Sequence, residues 1–230
     1  MPKLKLYFAP DTCARVPLTA LEQIGCDYDL EVIALMKGEH RSSDYLRLNR
    51  SGKVPTLIVD GEPLTENVAI NSWLAETYPD AGLLPRAEGL AQARQLSDLA
   101  YCASGLHPIV TRLRIPQMFC ALPEARFDVF AKAETAMQMH FVALDGRLGR
   151  SQWWYGADWS IVDSYINWVW FRVSGTDFDT SPYLALARHD RDVQARPAVQ
   201  RMLERNAEVA RSLEQRGLAP SFKDWRPPTN

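Results

Sequence analysis

Four cysteines in 230 residues are too few to staple a fold: Cys13, Cys26, Cys102 and Cys120. None belongs to a CxxC pair, and no histidine stands at zinc-finger spacing, so neither a disulfide framework nor a structural zinc site organises the chain. Free thiols are expected, three of them as filler, because an unpaired cysteine packs like a small hydrophobe. Long apolar runs are also missing: no stretch reaches the roughly 18 residues of a membrane-spanning helix. The opening apolar residues Leu4, Leu6, Tyr7 and Phe8 are broken by Lys5 and soon followed by Asp11, which is not the pattern of a secretory leader. A cytoplasmic protein is the expectation. Neither sign of charge dominates, with 26 Lys and Arg against 28 Asp and Glu. The broad basic surface that nucleic acid or an anionic membrane would need is therefore not expected. There is no internal repeat and no low-complexity segment.

Hydrophobic residues make up 47% of the chain, enough for a substantial core, and the length allows two small domains. Alternation over 3–8 predicts a strand, with Leu4, Leu6 and Phe8 on one face. Helical spacing of Val16, Ala20, Leu21 and Ile24 predicts a helix over 13–24, ended by Gly25. A strand over 28–33, a short helix over 43–48, strands at 54–59 and near Pro63, and a helix over 66–78 follow. Strands alternating with helices imply a small α/β sheet. After Pro79 the pattern changes. Residues 81–89 read as a linker, and 90–216 as an all-helical domain, with helices over 90–113, 125–148, 160–173, 183–195 and 197–215. Residues 217–230 form a polar, Pro-rich tail.

Several positions can carry chemistry. Cys13 lies where a strand-end turn enters a helix, and the unpaired N–H groups there favour a thiolate; a buried structural cysteine is an equal alternative. Val54-Pro55 opens a strand, where a proline costs no ladder bond and can leave backbone groups free for a peptide-like ligand. Glu66-Asn67 stands at a helix start, suited to an α-amino acid end, although Thr65 or Asn67 can serve simply as the cap. Ser160 and Asp163 have capping-box spacing, a folding signal in which each residue is worth about 0.5–2 kcal/mol. The Trp and Tyr residues around that box read as core. His40, His140 and His189 read as surface or structural.

In combination these features resemble the glutathione transferase superfamily. A cysteine after the first strand, Val54-Pro55-Thr56-Leu57 at the third, Thr65-Glu66-Asn67 opening the next helix and an SxxD box in a helical half occur in that order over roughly residues 4–208. The segment from Leu4 to Cys13, and Ser104-Gly105-Leu106-His107 in the first long helix, look most like the bacterial beta class. The resemblance implies a thioredoxin-like α/β first domain over 1–80 and an all-α bundle over 90–216. It places Cys13 at the glutathione sulfur, with Thr12 and then Tyr7 as the next candidates, and His107 as a partner from the second domain. It implies a cis bond at Pro55, backbone pairing by Val54, Glu66 and Asn67 at the γ-glutamyl end, and Lys37 and Lys53 at the glycyl carboxylate. Arg112, Ile115 and Met118 would line the second-substrate site by helical continuity. Asn67 stands where the family usually has Ser, Ala14 where the beta class often has Ser, and Pro108 where Lys is common. A proline inside a helix removes one bond and kinks it.

The expected activity is attack of glutathione thiolate on a largely apolar electrophile, in a detoxifying homodimer with glutathione as co-substrate and no metal. Two rival readings are a monothiol, Cys13-based thiol–disulfide oxidoreductase and a non-catalytic binding protein of the same fold.

Overall fold

The first strand, β1 (Leu4–Phe8), buries Leu4, Leu6 and Phe8 and leaves Lys5 and Tyr7 partly covered, the period-two signature of a strand with two unlike faces. The computed structural model describes residues 2–218. It adds β2 (Asp29–Val32), β3 (Thr56–Val59) and β4 (Glu62–Thr65) in one sheet of order β2-β1-β3-β4. β1 is parallel to β2 and antiparallel to β3, which is antiparallel to β4. A parallel pair needs a crossover, and α1 (Arg15–Ile24) supplies it. The helix stops at Gly25, whose φ of 71° is the left-handed stop that glycine adopts freely, with its N–H on the Leu21 carbonyl. The short helix α2 (Ser43–Leu48) begins on Ser42, whose hydroxyl accepts from the Tyr45 N–H at 3.2 Å. The helix α3 (Asn67–Thr77) follows β4. This is the thioredoxin-like α/β arrangement. The third strand is shorter than the 54–59 expected, because Val54 and Pro55 form a turn ahead of the ladder, joined by a cis peptide bond.

By contact the chain divides into two units, residues 2–86 with 195–218 and residues 87–194. Sequence pattern groups the final helix, α9 (Pro197–Gln215), with the helical half. Contact groups it with the sheet, because α9 packs along α1. A charged cluster fastens the two helices. Glu22 of α1 is buried and receives Tyr28 Oη, Arg201 Nε and Arg205 Nε. Burial alone would raise its pKa, but those three donors outweigh it and hold the carboxyl below its usual value. Of the tail expected over 217–230, residues 219–230 lie outside the described residues.

The second unit is helical: α4 (Gly89–Ala100), α5 (His107–Arg114), α6 (Ala125–Leu148), α7 (Ile161–Ser174) and α8 (Leu184–Gln194). The single helix expected over 90–113 is interrupted by a π-helical segment, Tyr101–Leu106, and the His107 N–H reaches back five residues to the Cys102 carbonyl. Pro108 explains the widening: it has no N–H to continue an α-turn, and its ring would crowd the carbonyl four residues back. The proline therefore opens a new helical start at α5. Helix α7 is buried over most of its length and begins at the expected capping box. Asp163, with no exposed surface, does more than cap. Its Oδ2 accepts from the Ser160 N–H and hydroxyl, each at 2.8 Å, and its Oδ1 accepts from the Trp154 N–H at 2.7 Å and lies 2.9 Å from His189 Nε2.

Two stability predictions follow from these clusters. Replacing Asp163 by Ala strands several buried donors and costs about 3–5 kcal/mol, at about 1–3 kcal/mol for each buried group left without its acceptor, while Ser160→Ala costs about 1 kcal/mol; urea unfolding distinguishes the two. In the α1–α9 cluster the order of loss is set by burial. Glu22→Gln leaves two arginines that are half in water and costs about 1 kcal/mol. Removing Arg201 and Arg205 together leaves a buried carboxylate without its cations and costs about 3 kcal/mol. The Glu22 contribution is fully present above its unfolded pKa and is lost as pH falls through the lower folded value.

Candidate functional site

The loop between β1 and α1 presents Thr12 and Cys13. Thr12 Oγ1 donates to the Ala9 carbonyl at 2.7 Å and accepts from the Ala14 N–H at 3.3 Å. It acts as a local cap, and its proton is committed to the backbone. Tyr7 points to the α2 side of the sheet, its ring edge-on to Tyr45 with centroids 5.5 Å apart. Of the three expected sulfur-facing side chains, Cys13 is the one whose donor meets the Val54–Pro55 turn: its Sγ donates to the Val54 carbonyl across 3.6 Å.

Burial decides the chemistry of that thiol. Cys13 is 8% exposed, and desolvation pushes its pKa up to about 12; the Asn67 side chain pulls the other way, the Glu66 carboxylate adds to the rise and Lys53 opposes it. The α1 N-terminus was expected to stabilise a thiolate here, and in this environment the cost of burying a charge exceeds that attraction. Cys13 is a neutral thiol at neutral pH, a hydrogen-bond donor rather than an anion.

The turn opposite is held from below by residues that sequence patterns did not single out. Tyr45 Oη donates to the Lys53 carbonyl at 2.6 Å, and Asn49 Nδ2 donates to the same carbonyl at 2.8 Å. Thr56 Oγ1 lies 3.0 Å from Tyr45 Oη and 3.1 Å from Asn49 Nδ2. The carbonyl of Val54 faces the cysteine, and among the described residues no group accepts from its N–H. That leaves one backbone donor just ahead of the inner strand β3 for a peptide-like partner.

Glu66 and Asn67 lie at the start of α3, as expected, but neither Thr65 nor Asn67 caps it. The capping position is Glu66, with a φ of 71° and no side-chain hydrogen bond to the helix. This leaves the first N–H groups of α3 without a side-chain acceptor, and the Glu66 side chain is exposed. Asn67 is buried and turned inward, donating from Nδ2 to the Cys13 carbonyl at 3.3 Å, and Asn71 one turn later donates to the Asn67 carbonyl at 2.7 Å. So α3 and the Cys13 loop are tied directly. Lys53 acts on Cys13 through its charge. Lys37 is exposed and sits in a one-turn 3₁₀ segment before Gly38.

The remaining expected residues belong to the second unit. His107 is partly buried at the start of α5, its Nδ1 3.3 Å from Tyr165 Oη and its ring edge-on to Trp168 with centroids 4.5 Å apart. The pose is fixed by α7 rather than lost to Pro108. Arg112 Nη1 donates to the Pro108 carbonyl at 2.9 Å, and its guanidinium lies 4.9 Å from the Phe119 ring centre. It lines an open groove of about 430 Å³ with Ile109, Phe119, Val129 and Lys132. Ile115 ends α5 and Met118 is exposed; neither lines that groove. Among the described residues no His, Cys, Asp or Glu cluster suits a metal ion, and no helix is long and apolar enough to cross a membrane.

A thiol this depressed in acidity reacts slowly with alkylating agents. In the folded protein the rate of Cys13 alkylation is expected to keep rising with pH well beyond 9, without a plateau before about 12. A plateau near neutrality, read by mass spectrometry of the Cys13 peptide, would mean a thiolate instead.

Comparison with known proteins agrees with this geometry. Residues 2–76 match the family model of the glutathione S-transferase N-terminal domain. The chain is 30% identical over 165 residues to glutathione S-transferase GstA of Escherichia coli O157:H7, covering 71% of this chain and 79% of that one. It is 29% identical over 198 residues to a probable maleylacetoacetate isomerase of Caenorhabditis elegans, covering 86% and 90%. A sphingomonad glutathione S-transferase complexed with glutathione superposes with a TM-score of 0.77 at 30% identity, over 88% of this chain and 98% of that one. The bacterial beta class enzyme of Sphingomonas chungbukensis does so with a TM-score of 0.77 at 31% identity, over the same shares. With the sheet, the cis turn and the helical half already in place, this chain belongs to the glutathione S-transferase family, and its structural neighbours include a bacterial beta class enzyme.

Proposed function

We propose that this chain binds glutathione in its first unit and transfers the glutathione thiolate to a hydrophobic electrophile. The observation that carries this reading is the convergence, at the ends of the inner strands β1 and β3, of a free Val54 N–H, the α3 start with Glu66 and Asn67, and the neutral Cys13 thiol. In this assignment Val54 pairs with the cysteinyl unit beside cis-Pro55, Glu66 and the α3 N-terminus hold the γ-glutamyl amino and carboxylate groups, and Lys53 with Lys37 faces the glycyl carboxylate. The Cys13 S–H exchanges its long bond to the Val54 carbonyl, 3.6 Å away, for one to the glutathione sulfur and favours the ionised form of that sulfur. Thr12 and Tyr7 serve the loop and the sheet. His107, Arg112, Ile115 and Met118 are assigned to the second-substrate side, which the helical unit would supply, and the protein to a cytoplasmic, detoxifying C2 homodimer.

The disulfide-exchange reading is weakened by Cys13 itself. Burial holds the Cys13 pKa well above neutrality, which leaves little attacking thiolate at pH 7. A second reading has an observation in its favour: relatives of this chain include proteins named maleylacetoacetate isomerase. The same glutathione thiolate, added to an activated cis double bond and expelled after rotation about the resulting single bond, would isomerise such a substrate with no net consumption of glutathione.

The test is conjugation and isomerisation of a panel of electrophiles at fixed glutathione. Glu66→Ala is expected to weaken glutathione binding by about 1.5–3 kcal/mol, as for a hydrogen bond to a charged group. Cys13→Ala removes one donor and is expected to leave conjugation within about tenfold of the parent. Abolished conjugation in Cys13→Ala with glutathione still bound would move the oxidoreductase reading to first place. Saturable binding without turnover of any electrophile would favour a carrier.

A further inference from the structure

Asp11 has a φ of 60°, a left-handed backbone that costs an L-residue energy unless something holds it. The holder comes from the far end of the chain. The Asp11 N–H donates to Asn206 Oδ1 at 2.9 Å, and Asn206 Nδ2 donates to Asp11 Oδ1 at 3.0 Å. Asn206 is 8% exposed and lies in the middle of α9, where asparagine is a mediocre helix former. Its value there is the two-point match to one amino acid of the loop. Cys13 is two residues beyond Asp11, and the α1 N-terminus follows at once. Helix α9 is in turn anchored to α1 two turns further on, through Arg201 and Arg205 on Glu22. The loop is therefore gripped at its left-handed residue by the same helix that fastens the helix it leads into.

We infer that Asn206 is a positioning residue that sets the Asp11–Cys13 loop, and with it the Cys13 donor and the α1 N-terminus, against the thiol of the bound co-substrate. This rests on the glutathione-transferring reading above. Asn206 does not touch the reacting atoms. It acts through Asp11, and misplacement of a donor by about 1 Å is enough to cost a large factor in rate.

The experiment combines backbone hydrogen exchange of residues 11–14 in the protein alone with steady-state conjugation. The variants are Asn206→Leu, Asn206→Asp, and the swap of Asn206→Asp with Asp11→Asn. Asn206→Leu removes both bonds. Asn206→Asp keeps the acceptor for the Asp11 N–H but sets two carboxylates together. In the swap the backbone N–H and the new side-chain amide at position 11 both donate to the carboxylate on α9, which restores two hydrogen bonds with a single carboxylate. Exchange in the loop is expected to speed up by about tenfold or more in the single variants, with the sheet amides unchanged. Their kcat is expected to fall about ten- to hundredfold, with KM for glutathione changing less, and the swap is expected to recover both. A helix that matters only for stability would lower the melting temperature and leave kcat of the folded enzyme alone; that result, or unchanged loop exchange in Asn206→Leu, or no recovery in the swap, overturns the inference. If the parent conjugates nothing, the transferase reading fails, and with it the catalytic part of this inference, while loop exchange still reports whether Asn206 holds Asp11.

Discussion

Removing the Cys13 thiol from water is the constraint on which the proposed chemistry turns. A cysteine at a helix start is pulled towards ionisation by the unpaired N–H groups there. Burial pushes the other way, and here it is the stronger effect. The consequence is a division of labour: this thiol stays protonated and donates, and the nucleophilic sulfur arrives with the co-substrate. The turn that the thiol meets is prepared for that task. Two donors, from Tyr45 and Asn49, converge on the Lys53 carbonyl and fix the backbone just before Val54, so that its free N–H points where the β3 ladder has not yet begun.

A second constraint comes from the order of the chain. The first unit is not finished when the sheet is. It waits for α9, which brings Arg201 and Arg205 to Glu22 and Asn206 to Asp11. Contacts across most of the chain length are entropically costly to close. Buried, charge-assisted pairing offsets that cost on α1, and the amide pair on Asp11 adds orientation. The helical unit solves a comparable problem with Asp163, which gathers the Ser160 and Trp154 N–H groups and His189 at one buried carboxylate.

Local order was legible in the sequence where it depends on period and punctuation. The alternation of Leu4, Leu6 and Phe8, the Gly25 stop, the short helix at 43–48 and the long helices at 125–148 and 197–215 all follow from residue spacing. The capping box at Ser160 and Asp163 was legible for the same reason. What was not legible depends on partners distant in sequence. Nothing around Cys13 announces its burial, since the residues covering it come from other elements. The assignment of α9 to the sheet unit is invisible to composition, because its apolar face does not say what it will cover. Asn206 and Asp11 look like an ordinary helix surface residue and an ordinary turn residue until they are paired. Pro108 did signal a departure from a regular helix, but the form it took, a π-helical segment ahead of the proline, is one of several ways a chain can accommodate a missing donor. At α3 the sequence placed Glu66 and Asn67 at a helix start but not the cap itself, since Asn67 turns inward to the Cys13 carbonyl instead of capping.

The direct measurement of this account is the ionisation of glutathione on the protein, followed by ultraviolet difference absorbance of the thiolate in the Cys13→Ala and parent proteins across pH. A free thiol has a pKa of about 8.5. The account predicts a midpoint for bound glutathione at least about one unit lower in the parent, with most of that shift retained in Cys13→Ala because backbone N–H groups remain. A midpoint equal to that of free glutathione in the saturated parent protein would contradict it.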